Sequence, residues 1–183
     1  MKNIIKLLFV VYIFLFPLKS FALIEVDITR GNLNPLPVAV SALSSSEKDK
    51  KILENKLDVK DLGLEISKIV ENNLRQSGLF NPLNKDAFLQ KPDIAHLKPR
   101  FEDWSLIKAQ ALITGKVNLQ DDKLRVEFRL WDVLAGKEML ALAFTTVPKN
   151  WRRVGHIITD KVYERLTGEK GYFDTRIIYV AEE

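Results

Sequence analysis

The stretch "KLRVEFRLW" constrains this chain more than any other. Leu124, Val126, Phe128 and Leu130 point one way while Arg125, Glu127 and Arg129 point the other. A strict period of two is the pattern of a strand with one face buried and one face wet. Before it, "ALITGKVNLQ" places Ala111, Ile113, Gly115, Val117 and Leu119 on one side, and Asp121 with Asp122 supplies a polar turn between the two runs. After it the chain turns again around Gly136 into "KEMLALAFTTV". These runs predict a three-stranded antiparallel meander.

Two amphipathic helices frame the meander. Between Asp58 and Ser77 the residues Leu62, Ile66, Ile69, Val70 and Leu74 share one helical face, with Asp58 placed to cap the start and Gly78 the end. A second helix starts near Asn150, a good capping residue, carries Trp151, Val154, Ile158, Val162 and Leu166 at helical spacing, and stops at Gly168. Single apolar stripes of this kind pack against the sheet of their own domain.

The remaining segments are shorter. "RGNLNPLP" is turn-rich and leads into an apolar strand from Val38 to Leu43, after which "SSSEKDKK" reads as a solvated loop or exposed first turn. "LFNPL" is a short strand broken by Pro82. "KPDIAHLKPRFEDW" reads as an irregular connection with a brief helix near Phe101 to Ile107. The expected fold is α/β of the α+β type: a mixed five- to six-stranded sheet with two main helices packed on one face. The closing "TRIIYVAEE" opens a strand, with Ile177, Tyr179 and Ala181 alternating against Ile178 and Val180, and a strand needs pairing. The simplest expectation is that more chain follows.

The first residues follow the plan of a secretory signal. Lys2 and Lys6 precede an apolar run from Leu7 to Phe16, too short for the ~20 residues that span a bilayer, and Ser20 and Ala22 are the small residues of a cleavage site. Cleavage after Ala22 removes Lys2, Lys6 and Lys19 and no acids, so the net charge of +4 falls to +1. A nearly neutral mature chain has no electrostatic footprint for nucleic acid or anionic lipid. The absence of cysteine excludes disulfides, thiolate metal sites, a cysteine nucleophile and a lipid-bearing cysteine. The 161 residues left of 183 suit one domain that buries roughly 70% of its unfolded surface.

Chemistry-bearing groups are sparse. His96 sits in the irregular connection without a ligand-spaced partner, and His156 lies inside a helix beside Gly155, so both read as structural or surface residues. Asp121 and Asp122 read as turn formers rather than an acid-base pair. No nucleophile elbow, phosphate-binding glycine loop or helix-borne zinc motif occurs. An interaction module is the better expectation, with no cofactor and no metal.

In order along the chain, "LIEVDITRGNLNPLPVAV", "NLRQSGLF", "ALITGKV", "VEFRLWDVLAGK" and "LTGEKGYFDTRIIYV" resemble the TolB family of the bacterial Tol-Pal envelope system, from about Leu23 to the last residue. The resemblance implies a signal peptide at 1–22, a partner-binding tail at 23–34, an amino-terminal α/β domain at 35–170, and the start of a truncated β-propeller at 171–183. It implies a periplasmic adaptor, not an enzyme, that helps couple inner-membrane TolA to the outer-membrane lipoprotein Pal during envelope constriction and the upkeep of the outer membrane. Its partner would be the C-terminal domain of TolA, met through Leu23, Ile24, Glu25, Val26, Asp27, Ile28, Thr29, Arg30, Gly31 and Asn32. Pal binding would belong to a propeller, if one follows.

Physical chemistry makes the tail's role workable. Ile24, Val26 and Ile28 can enter alternate pockets while the backbone adds a strand to a partner's sheet, with Glu25, Asp27 and Thr29 on the other side. Folded back on its own domain, the same alternation makes an ordinary edge strand. Two other readings remain at this stage. One is a periplasmic accessory domain recruiting a cell-wall enzyme or secretion channel through the face of Arg125, Glu127 and Arg129. The other is a small exported hydrolase that loses turnover on His96→Ala.

Overall fold

A computed structural model describes residues 34–175. The signal at 1–22, the tail at 23–32 and the closing strand from Ile177 lie outside the described residues.

Five strands form one mixed sheet: β1 (Leu36–Val40), β2 (Phe80–Pro82), β3 (Ala111–Gln120), β4 (Lys123–Asp132) and β5 (Lys137–Thr146), in the order β2-β1-β3-β4-β5. β1 pairs in parallel with both β2 and β3, while β3, β4 and β5 form the expected antiparallel meander. The turn between β3 and β4 is carried by Asp121 and Asp122, both at positive φ (49° and 59°), a conformation that aspartate tolerates and that matches strand twist. Within β5, Met139 is an extra residue, since Leu130 faces Leu140 and Trp131 faces Glu138. Its carbonyl accepts from Arg165 Nε at 3.2 Å, so the bulge at this sheet edge is satisfied from a helix.

The helices are α1 (Glu47–Leu57), α2 (Leu62–Gln76), α3 (Pro92–Leu97), α4 (Phe101–Leu106) and α5 (Trp151–Thr167). Their arrangement follows from the parallel pairs. The step from β1 to β2 moves one way across the sheet and the step from β2 to β3 moves back, so two right-handed crossovers must lie on opposite faces. The packing agrees. Leu62, Ile66, Val70 and Leu74 of α2 join Val154, Ile158, Val162 and Leu166 of α5 over Val38, Val40, Ile113, Val126 and Phe128. On the other face Ala95 of α3 and Trp104 of α4 meet Ala39 and Leu112, the neighbours of opposite parity. The two main helices do share one face, as the stripes require.

One local expectation is decided and three need correction. Of its two readings the polar "SSSEKDKK" region takes the exposed first turn, that of α1: Ser46 accepts from the Asp49 N–H at 3.1 Å, and Glu47 with Asp49 near the start and Lys56 near the end suit the helix dipole. Only Leu53 of α1 is buried, so its apolar signal is weak. Asp58 does not cap α2; at φ 54° it ends α1, and the Asp61 carboxylate caps α2 through the Leu64 N–H at 3.0 Å. The connection after β2 contains α3, opened by Pro92 in its first turn, so His96 lies on a helix instead of a loop. Asn150 precedes α5 but makes no side-chain capping bond; Pro148–Asn150 already form a 3-10 turn that feeds the helix.

Backbone contact decides one glycine. A Cβ on Gly63 would lie 1.9 Å from the Leu43 carbonyl oxygen, which a backbone group cannot yield. Alanine is the better helix former by about 1 kcal/mol, yet overpacking costs about 1–3 kcal/mol, so the clash wins. Gly63→Ala is therefore expected to lower the unfolding free energy by up to about 2 kcal/mol, read as a lower denaturant midpoint with an unchanged m-value.

Candidate interaction surfaces

Each histidine is engaged with the packing of a helix. His156 of α5 accepts at Nδ1 from Asn73 Nδ2 of α2 at 2.9 Å, and the same amide donates to Thr159 Oγ1 at 3.1 Å. That polar bridge is a helix-to-helix tie. His96 is 6% exposed, and its Nδ1 is buried without a hydrogen-bond partner. Burial pushes its pKa below the ordinary histidine value; Arg129 and Lys116 push the same way and Glu127 opposes them. No group of three or more His, Cys, Asp or Glu side chains able to hold a metal occurs among the described residues.

Asp122 serves the hairpin turn and also pairs with Lys56, tying the end of α1 to the turn. The Lys56 ammonium holds its carboxyl below the usual range. Sequence pattern gave the turn but not the tie.

The wet face of β4 is largely self-paired. Arg125 Nε donates to Glu127 at 2.8 Å, Arg129 reaches Glu138 of β5 at 3.5 Å, and the Arg129 guanidinium sits 6.0 Å from the centre of the Trp131 ring. Arg125 holds the Glu127 carboxyl below its ordinary value. Charges already neutralised by neighbours offer a partner little. A cleft of about 750 Å³ between α1 and the starts of α2 and α5 is lined by acids and bases together, including Lys50, Glu54, Asp61, Glu65 and Arg152. Such a lining prefers no charge.

The segment after α5 is held in place, which the sequence pattern did not disclose. Both oxygens of Asp160 accept backbone N–H groups, from Phe173 at 2.7 Å and from Asp174 at 3.0 Å. Asp174 in turn takes three contacts of 3.0–3.1 Å from Arg153. Tyr172 and Phe173 stack on one another and meet Tyr163 edge-on, at 5.6 and 5.9 Å. Gly171 is needed beneath them, since a Cβ there would lie 2.4 Å from Asp160 Cα. Arg153 and Asp160 stand seven positions apart, on one side of α5, so residues 171–174 run back along the helix. The spacing is visible in the sequence; the donors to Asp160 are backbone N–H groups, which carry no residue signature.

The sequence model of the TolB amino-terminal domain matches residues 24–139. The chain belongs to the TolB family. The Tol-Pal system protein TolB of Pelagibacter ubique (strain HTCC1062) is 76% identical over 180 residues, which are 98% of this chain and 40% of that protein. This chain thus spans 40% of its TolB relative's length. The crystal structure of TolB from Acinetobacter baumannii matches at a TM-score of 0.61 and 20% identity, over 83% of this chain and 33% of that one. At that identity the likeness shows a shared TolB fold, the mixed sheet and helices described above.

Removing the Asp160 carboxylate frees two amides without touching the core. Asp160→Ala is expected to speed hydrogen exchange at the Phe173 and Asp174 amides by about tenfold or more while protection in the middle of α2 is retained. Amide exchange followed by NMR reads both.

Proposed function

We propose that this chain serves the Tol-Pal system as a non-enzymatic periplasmic adaptor domain whose segment 23–32 is its TolA-binding element. The single observation carrying this reading is the TolB amino-terminal match, which begins at residue 24, inside the tail, and runs through the meander. The 76% identical relative bears the name of a Tol-Pal system protein, which supports placing the chain in that system. Export through the leader-like residues 1–22, with cleavage after Ala22, would deliver the tail as the first residues of the mature protein.

The described domain supports an adaptor in two physical respects. The charges on the wet face of β4 pair with one another and the cleft beside α1 is lined by both signs, which favours binding through the backbone and apolar groups that an added strand supplies. And the tail precedes β1 in the chain, the strand held between β2 and β3, so a partner paired with the tail is coupled to an interior strand of the sheet. In this reading the domain links TolA on the inner membrane toward Pal on the outer membrane, with Pal contacts assigned to a propeller. Coupling of that kind serves envelope constriction and outer-membrane integrity.

The test is a titration of the isotopically labelled C-terminal domain of TolA with residues 23–183 and with a version starting at Leu33. Shifts along one edge strand of TolA are expected with the first protein and not with the second. Equal shifts with both would move the binding site onto the folded domain and overturn the tail's role.

A further inference from the structure

The helix α3 is held to the sheet by very little. It has six residues, its N-cap Lys91 makes no side-chain bond, and its only buried residues are Ala95 and His96. Its apolar neighbours face outward, Ile94 at 51% exposed and Leu97 at 77%. Half of the buried anchor is thus an ionisable ring.

The surroundings of that ring suit only its neutral form. His96 Nδ1 is buried and finds no acceptor, so a proton placed there would be a buried charge without a hydrogen bond. The charged groups facing it come from the strands beneath: Lys116 of β3, and Arg129 and Glu127 of β4. Two are cations. The one carboxylate is already engaged by Arg125 at 2.8 Å. On α3 itself Asp93 lies at the opposite end, beside the cleft lined by Lys50, Glu47 and Asp61.

The segment also has a defined limit. Gln90, 5% exposed, donates to the Lys98 carbonyl at 3.0 Å and accepts from the Arg100 N–H at 3.0 Å and from Trp104 Nε1 at 3.1 Å. The bonds to Arg100 and Trp104 secure α4 independently of α3, and the bond to Lys98 fixes the far end of the α3 segment. Trp104, 1% exposed and edge-on to Phe88 at 5.0 Å, stays anchored whatever happens between residues 91 and 97.

We propose that α3 is a proton-triggered cover: protonation of His96 releases residues 91–97 from the second face of the sheet and uncovers Ala39 and Leu112, while α4 and the main core stay folded. The linkage sign follows from the lowered titration of His96. The open form binds the proton more readily than the closed one, so the closed form keeps its full advantage above the ordinary value of about 6.5 and loses it as pH falls through the lowered value.

Hydrogen exchange of the purified protein at pH 8 and pH 5, corrected for the intrinsic pH dependence of exchange, tests the proposal. Expected is a loss of protection of about tenfold or more in residues 94–98 at the lower pH, with α2 and α5 unchanged, and no such loss in His96→Leu. Unchanged protection at pH 5, an equal loss in His96→Leu, or a simultaneous loss throughout α2 and α5 would each overturn it. Should His96→Leu fail to fold, NMR titration of the imidazole in the unmodified protein decides. A value clearly below that of an unstructured peptide, titrating together with the opening of residues 94–98, supports the cover, and an ordinary or raised value removes it.

Discussion

The close approach of α2 and α5 is the contact on which the rest of the structure depends. A Cβ on Gly155 would fall 2.8 Å from Ile69 Cγ2, so the two helices meet at a distance only glycine permits. Beside that contact Asn73 bridges to His156 and Thr159, and Thr159 Oγ1 returns a bond to the Gly155 carbonyl at 2.9 Å. Polar groups in this position must all be satisfied, because an orphan there costs the desolvation of that group. The steric and polar parts specify the same register. With it fixed, the stripes of both helices form one continuous apolar surface that covers β1, β3 and β4.

That arrangement divides the molecule into a strong side and a weak side. The α2 and α5 face holds most of the large buried side chains, among them Phe128, Ile66, Leu74, Ile158 and Leu166. The opposite face is covered by two helices of six residues and a small cluster around Trp104. Local stability follows the contacts that would be broken, so motion belongs on the second face. The described chain leaves the fold by way of α5, whose outer side carries the Asp160 and Arg153 clasp.

Much of this is legible in the sequence alone. The alternation of Leu124, Val126, Phe128 and Leu130 gave β4 and its buried face, and the stripe from Trp151 to Leu166 gave α5, because periodicity reports directly which side of an element faces apolar neighbours. Helix α1 escaped because one buried leucine makes no stripe; its signals were the Ser46 cap and the ordering of charges. Helix α3 escaped because six residues between two prolines leave too short a window for a period. The Asp58 cap was misplaced since Asp58 and Asp61 are chemically identical candidates, and only the left-handed backbone at Asp58 separates them.

The sequence by itself determined the inventory: a three-stranded meander, two long amphipathic helices, no cysteine chemistry, no spaced ligand set, and a family resemblance carried by several stretches in order. These are local properties, written in the spacing of apolar and polar residues along a few turns or a few strand positions. Only the tertiary structure decided that β1 lies between β2 and β3, that the short helices take the second face, that His96 is buried without an acceptor, and that Asp160 holds the backbone of residues 173 and 174. Each of those joins groups far apart in the chain. Pairings at such distances depend on which elements share a face and at what register, and on backbone N–H and C=O groups that every residue possesses, so no single stretch of sequence records them.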